Sequence, residues 1–355
     1  MHIGIPREIK PLEGRVALNP EACGDLVQAG HSVYVEHNAG ELSGYSDDLY
    51  ASAGVAVTPD AAETYASAQL LVKVKEPIAD DLALLQNNHL LFCFLHLAAN
   101  ADLAHSLQDI GLTAVGFETV EEDNSSLPLL APMSDIAGRL ATQIGSNLLH
   151  QPAGGKGLLL GGLPGAERGR VVIIGAGNAG GNAAAMAAAM GADVTVFDLN
   201  RERLLAMRSL GNNVTGLYPY QDAIKQAVAA ADLLIGAVLK TGDRSPHIVT
   251  RSMVKTMSAG SVIVDISVDQ GGCIETTHPT TYGNPTYVEE GVLHFTVTNI
   301  PGAVPRSASQ ALSAALLPYV HLMSQADWNK VPALQRGINI EAGSLIHPML
   351  KESLA

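Results

Sequence analysis

Residues 171–200 read VVIIGAGNAGGNAAAMAAAMGADVTVFDLN, and the fold turns on how this stretch is read. An apolar strand runs into Gly175-x-Gly177-x-x-Gly180, an alanine-rich helix follows, and a second strand ends at Asp198. Each glycine has a physical reason: Gly175 permits the tight turn, Gly177 lets backbone approach a pyrophosphate, and Gly180 allows close helix–strand packing. A helix N-terminus offers free N–H groups and partial positive charge to phosphates. Asp198 stands 18 residues after Gly180, where a carboxylate can accept from both ribose hydroxyls. A lone glycine triplet is weak evidence, but here strand, turn, helix, second strand and acid occur in order. The stretch reads as a dinucleotide site. Asp198 favours NAD over NADP, because it repels a 2′-phosphate; Arg201 and Arg203 temper that preference.

Working outward, the same alternation continues on both sides. Upstream, HIGIP (2–6), SVYVEH (32–37), LLVKVKEP (70–77), LLFCFLHL (90–97) and TAVGFET (113–119) read as strands with helical segments between them. Downstream, DLLIGAV, SVIVDISVD and VLHFTVTN continue the second series. Strands alternating with helices imply parallel pairing in covered sheets. At 131–151 one long helix intervenes, with Ile136, Leu140, Ile144 and Leu148 on a single apolar stripe. A further helix, 310–325, is expected to return to the first domain. The expected fold is α/β, with two Rossmann-like parallel-sheet domains joined by long helices. Their expected limits are 1–130 plus 305–355 for a substrate domain and 131–304 for the nucleotide-binding domain.

Composition narrows the function classes. A length of 355 residues accommodates two cores, and 4% aromatics against 47% hydrophobics makes those cores aliphatic. The net charge of −14 argues against nucleic acid and anionic membrane partners. The 22 uncharged residues after Arg170 contain five glycines and two asparagines, so they do not form a membrane span. The chain opens MHIGIPREIK, without a secretory h-region. Cys23, Cys93 and Cys273 form no CxxC pair and fit a reducing cytoplasm. No metal-ligand spacing and no GxSxG nucleophile motif occurs.

Four residues outside the glycine motif carry chemistry. His96 ends an apolar strand, where a histidine taken alone is more often a core residue than a catalyst. Asp265, Ser267 and Asp269 share one expected strand face, and Asp269 alone reads equally well as a solvated carboxylate. Arg15 lies in a loop after the first strand; such an arginine is usually solvated, yet it is also the best bidentate partner for a carboxylate. In LLVKVKEP, alternation puts Lys73 and Lys75 on one face. Lys75 stands nearest the strand's end, so it is expected to meet substrate, and Lys73 is expected to be peripheral. Together these groups suit hydride transfer with an amino or keto acid, with cations holding the carboxylate and His96 and Asp269 moving protons.

Taken whole, the sequence resembles the alanine dehydrogenase family from residue 1 to about residue 320. The resemblance runs through GIPREIKPLEGRVALNP, LLVKVKEP, FLHLAA, LPLLAPMSDIAGRLA, GKGLLLGGLPG, VVIIGAGNAGGNAA, DLLIGAVL, VDQGGCIETTHPTTY and NIPGAVPRS. It implies NAD-dependent interconversion of L-alanine with pyruvate and ammonia, in a homohexamer with its active site in the cleft between domains. Residue by residue, Arg15 and Lys75 correspond to substrate-binding positions, His96 to the acid/base and Asp269 to the carboxylate assisting it. Ser134, Asn178, Ala179, Asp198, Arg203, Val238, Leu239, Ile266, Ser267, Val268, Asp269, Val297, Thr298, Asn299 and Ile300 correspond to positions lining the cofactor.

The chain departs from the family pattern at Pro219, where serine is common, and at His278, where arginine is common. It also departs at SASQALSAALLPY (307–319), which has Ala314 in place of asparagine, and in the tail from Gly337. The same two-domain plan resembles the NAD(H)-binding subunit of proton-translocating transhydrogenase, and a non-catalytic NAD sensor is a third class. Lys75, His96 and the DQGG run favour the enzyme.

Overall fold

The computed structural model of this chain describes residues 1–238 and 245–354. In chain order its strands are β1 (His2–Ile5), β2 (Ser32–Glu36), β3 (Ala56–Thr58), β4 (Leu70–Val72), β5 (Leu90–Cys93), β6 (Thr113–Gly116), β7 (Arg170–Ile174), β8 (Asp193–Phe197), β9 (Val214–Leu217), β10 (Leu233–Gly236), β11 (Val262–Asp265), β12 (Thr286–Glu289), β13 (Val292–Phe295), β14 (Ile338–Glu341) and β15 (Ser344–Leu345). They form an eight-stranded sheet, β15-β14-β6-β5-β4-β1-β2-β3, and a seven-stranded sheet, β12-β13-β11-β10-β7-β8-β9.

Without their antiparallel edges, the two sheets follow one plan. The strands β3-β2-β1-β4-β5-β6 are parallel, and so are β9-β8-β7-β10-β11-β13. Numbered within each sheet, both have the doubly wound order 3-2-1-4-5-6. Strand order therefore reverses between β1 and β4 and again between β7 and β10. In such sheets ligands gather beyond the carboxyl ends of the strands at this switch point.

The chain divides into two compact units, Met1–Met133 with Gly302–Ala355, and Ser134–Pro301. The long helix, Ala131–Leu148, holds the first of these boundaries in its opening turn. In the second unit, β7 is apolar from Val171 to Ile174 because both of its faces are covered. Val171 and Ile173 pack into one cluster, while Val172 and Ile174 pack into the other. The long helix can lie against the helix Asn178–Ala189 because Gly138 has no side chain; a Cβ there would sit 2.0 Å from the Ala179 carbonyl oxygen.

In the first unit the helix Pro305–Met323 fixes the loop after β1. Ser309 Oγ accepts from the Val16 N–H at 2.9 Å, and Ser313 Oγ accepts from the Asn19 N–H at 3.0 Å. The antiparallel edges add strands that sequence periodicity does not reveal. The tail returns as β14 against β6 and turns into β15, and β12 pairs antiparallel with β13. Two- to four-residue strands are too short for a period-2 signal to rise above chance. Among the described residues, no helix is long and apolar enough to cross a membrane, and no His/Cys/Asp/Glu cluster could hold a metal.

Candidate active site

Three of the sequence-selected residues lie beyond the carboxyl ends of adjacent strands at the first sheet's switch point: Arg15 follows β1, Lys75 follows β4 and His96 follows β5. Arg15 is not solvated as a loop arginine would be. It is 3% exposed, its Nε donates to Glu13 Oε1 at 2.6 Å, and its Nη2 donates to Glu13 Oε2 at 2.5 Å. This two-point grip fixes the guanidinium plane. The remaining Nη1 reaches Met133 Sδ at 3.2 Å.

Lys75 is half-buried, and among the described residues no carboxylate lies within ion-pair distance of its Nζ. Burial, with the Arg15 charge added, lowers its pKa below the ordinary lysine value. Burial alone would raise the Glu76 carboxyl. A hydrogen bond from Lys10 and the charges of Lys75 and His96 outweigh that and hold it below the ordinary range. Glu76 Oε2 is buried and, among the described residues, accepts no hydrogen bond.

His96 stands three residues beyond β5, not on the strand as the sequence suggested. Its backbone is left-handed, with φ 50° and ψ 36°, which is uncommon for a residue with a Cβ. Its ring lies parallel to that of Phe94, with centroids 5.7 Å apart. The Glu118 carboxylate accepts the N–H of His96 at 2.6 Å and that of Leu95 at 3.2 Å.

Lys73 corrects the expectation that it would be peripheral. It is 1% exposed, with Nζ 3.3 Å from Asp81 Oδ1 and 3.7 Å from Glu8 Oε2. β4 extends only as far as Val72, yet the Lys73 N–H still donates to the Phe92 carbonyl at 3.1 Å, so the two lysines are separated by their neighbours and not by the strand's end. Lys73 goes into the core between two carboxylates while Lys75 stays half-open. Asp81 also accepts from Tyr65 Oη at 2.7 Å and from the Ile78 N–H at 3.1 Å. Glu8 accepts the Val74 N–H at 2.6 Å. Burial lowers the Lys73 pKa, but Glu8 and Asp81 outweigh it and raise the ammonium's pKa.

In the second unit the glycine loop fits a dinucleotide at each position. Gly175 has φ +98°, and a Cβ there would meet the Ala237 carbonyl at 2.5 Å; a Cβ on Gly180 would lie 1.8 Å from the Gly175 carbonyl. At Gly177 a Cβ would meet nothing within 4 Å, so space is open where the pyrophosphate is expected. Gly177 precedes the helix Asn178–Ala189 without a side-chain cap, leaving first-turn N–H groups for an anion. Asp198 ties this turn together: Oδ2 accepts the Ala176 N–H at 2.7 Å, and Oδ1 accepts the Asn200 N–H at 2.7 Å. Arg203 Nη1 lies 3.8 Å from Asp198 Oδ2. A nicotinamide dinucleotide fits these residues.

The remaining positions divide by exposure. Ser134, Ala179 and Val238 are half-buried and Asn178 is exposed. Leu239 lies outside the described residues. Val268, Val297 and Ile300 are 3%, 3% and 2% exposed. Ile266 and Asn299 are half-buried, Ser267 is buried, and Thr298 is exposed. Asp269 does not share a strand face with Asp265: β11 ends at Asp265, and Asp269 sits exposed in the 3-10 turn Val268–Gln270. Asp265 is instead the buried anchor of that turn. It accepts from the N–H groups of Ser267 and Cys273, both at 3.0 Å, and from Thr277 Oγ1 at 2.8 Å. Sequence reading missed Glu13, Glu76 and Glu118 in the first unit. Glu76 and Glu118 find their partners at other strand ends, which no local pattern marks, whereas Glu13 stands only two residues before its partner Arg15.

Known proteins resemble this chain over its whole length. The family models described as alanine dehydrogenase/PNT, N-terminal domain and C-terminal domain match residues 4–137 and 141–348. An alanine dehydrogenase of Bacillus subtilis is 45% identical, covering 100% of this chain and 95% of its own. One of Halomonas elongata is 44% identical over 99% and 96%. A solved structure titled L-alanine dehydrogenase superposes with TM-score 0.95 at 48% identity, covering 100% of both chains. A transhydrogenase structure from Sinorhizobium meliloti gives 0.84 at 24% identity over 98% and 99%, a likeness of fold alone.

Proposed function

Because this chain belongs to the alanine dehydrogenase/PNT family, we propose that it catalyses the reversible, NAD-dependent oxidative deamination of L-alanine to pyruvate and ammonia. The observation that carries the reading is the placing of Arg15, Lys75 and His96 at the carboxyl ends of three adjacent strands. Two cations and one titratable ring beside each other suit a small 2-oxo or 2-amino acid. Full-length identity of 42–45% to alanine dehydrogenases, against 24% to the transhydrogenase, favours the enzyme over the transhydrogenase subunit.

A nicotinamide dinucleotide held through its pyrophosphate at the glycine loop would supply the hydride acceptor, or the donor in the reverse direction. The chain's own residues supply the rest. Arg15, held flat by Glu13, and Lys75 bind the substrate carboxylate. Lys75 also polarises the carbonyl and stabilises the carbinolamine oxyanion. His96 takes the proton of the water that adds to the imine carbon and returns a proton as ammonia leaves. Asp269, as a carboxylate, favours the cationic iminium over the neutral imine. Asp198 selects NAD by accepting from the adenosine ribose and repelling a 2′-phosphate.

The free, buried thiols of Cys23, Cys93 and Cys273 suit a cytoplasmic enzyme. The family resemblance extends the proposal to a homohexamer, for which light scattering gives the mass. NADH oxidation with pyruvate and ammonium tests the reaction, run beside glyoxylate and with NADPH. His96→Ala should lower kcat by about 10²–10⁴-fold and leave NADH binding intact. Near-normal turnover in that variant would return His96 to the status of a core histidine.

A further inference from the structure

We propose that Glu118 is a positioning residue that sets the imidazole of His96; this rests on His96 being the acid/base. β5 ends at Cys93, and the backbone ladder continues one step further, with the Phe94 N–H donating to the Val74 carbonyl at 3.1 Å. The next two donors find no strand partner, and both go to Glu118. Its Oε1 accepts from His96 N at 2.6 Å and from Leu95 N at 3.2 Å, while Oε2 accepts from Leu95 N at 3.2 Å. Glu118 comes from the 3-10 turn Phe117–Thr119, directly after β6, and β6 is the neighbour of β5 in the sheet. The end of one strand therefore shapes the end of the next.

His96 is left-handed at φ 50° and ψ 36°, a conformation a residue with a Cβ keeps only where its surroundings over-determine it. A charge-assisted acceptor on two successive N–H groups provides that determination. The aromatic side of the site is equally constrained. Phe94 lies parallel to the His96 ring at an interplanar angle of 2°, and Phe117 meets Phe94 edge-on at 5.1 Å. Phe117 and Glu118 are consecutive, so one short turn holds both the backbone of His96 and the plate on which its ring lies. Without the carboxylate, the backbone at residue 96 can relax towards right-handed or extended geometry and carry the imidazole off its plate.

A double-mutant cycle separates this from a purely structural role. In E118A, kcat for pyruvate amination should fall about 10²-fold, the scale of an ångström-level misplacement of a reacting group. The NADH Kd and the pyruvate KM should change by less than about threefold, because Arg15 and Lys75 are untouched. E118Q, whose amide oxygen still accepts, should recover to within about tenfold of wild type. In the H96A background, E118A should cost less than about twofold, since there is no imidazole left to aim. An equal cost in both backgrounds, or an E118A enzyme within about threefold of wild type, would overturn the proposal. Should E118A not fold, E118Q with H96A/E118Q makes the same comparison, and an equal cost in both backgrounds overturns the proposal there too. A fully active H96A would overturn the reading of His96 and this proposal with it, whereas a crippled H96A beside an unaffected E118A overturns this proposal alone.

Discussion

Replacing Lys73 by methionine tests whether the first unit depends on its buried charge cluster. The substitution keeps most of the aliphatic stem and removes the ammonium, so packing changes little and the electrostatic effect dominates. Lys73, at 1% exposure, is held between Asp81 and Glu8 at 3.3 and 3.7 Å. Its loss leaves two carboxylates in the core with no cation. Removing one partner from a buried pair typically costs about 3–5 kcal/mol. For a unit of this size, with roughly 2–4 °C per kcal/mol, melting should fall by about 6–20 °C.

The pH dependence follows from the direction of each shift. The Lys73 pKa is raised, so its stabilisation is fully present below the unfolded lysine value and is lost only as pH rises through the still higher folded value. Glu8, raised by burial against the pull of Lys73, favours its protonated form in the folded state, and that contribution is lost as pH rises through its folded pKa. Without Lys73 the Glu8 pKa rises further, so the variant's deficit should be larger at pH 8 than at pH 5. Calorimetry of wild type and Lys73→Met at both pH values reads this directly. A fall of less than about 2 °C at pH 8, or a deficit that does not change with pH, would refute the reasoning.

Lys75→Ala should abolish turnover with pyruvate while leaving both NADH binding and melting near wild type, as fluorescence titration and calorimetry would show. Because burial and Arg15 lower the Lys75 pKa, the alkaline limb of kcat/KM should fall below the ordinary lysine range, and Lys75→Arg should remove that limb from the pH profile. The two motif glycines should fail differently. Gly177→Ala, with open space around its Cβ, should fold normally but weaken NADH binding by about tenfold or more through contact with the pyrophosphate. Gly180→Ala, whose Cβ would overlap the Gly175 carbonyl, should lower the melting temperature itself. Asp198→Ala should raise the NADP/NAD ratio of kcat/KM, with some loss of stability because the N–H groups of Ala176 and Asn200 lose their acceptor; an unchanged ratio would mean that the acid does not face the ribose.

The local signals of the sequence were sufficient for the α/β class and for the glycine turn between β7 and its helix. A run such as Val171 to Ile174 is apolar at every position because both of its faces are covered, and Gly180 answers to a near neighbour in the chain, the Gly175 carbonyl. Arg15, Lys75, His96 and Asp269 were also selected from sequence, but their distinct surroundings were not. Lys73 and Lys75 are alike by alternation, and what separates them is Glu8, far upstream, and Asp81, beyond the strand. Asp269 and Asp265 looked like companions on one face until the strand ended between them and made Asp265 the anchor of the turn. The left-handed backbone of His96 is held by Glu118 from a neighbouring strand end, and the tail became β14 and β15 only because β6 offered it an edge. Periodicity and turn chemistry act within a few residues and can be read along the chain. Which carboxylate meets which cation depends on strand order, and only the folded sheets decide that.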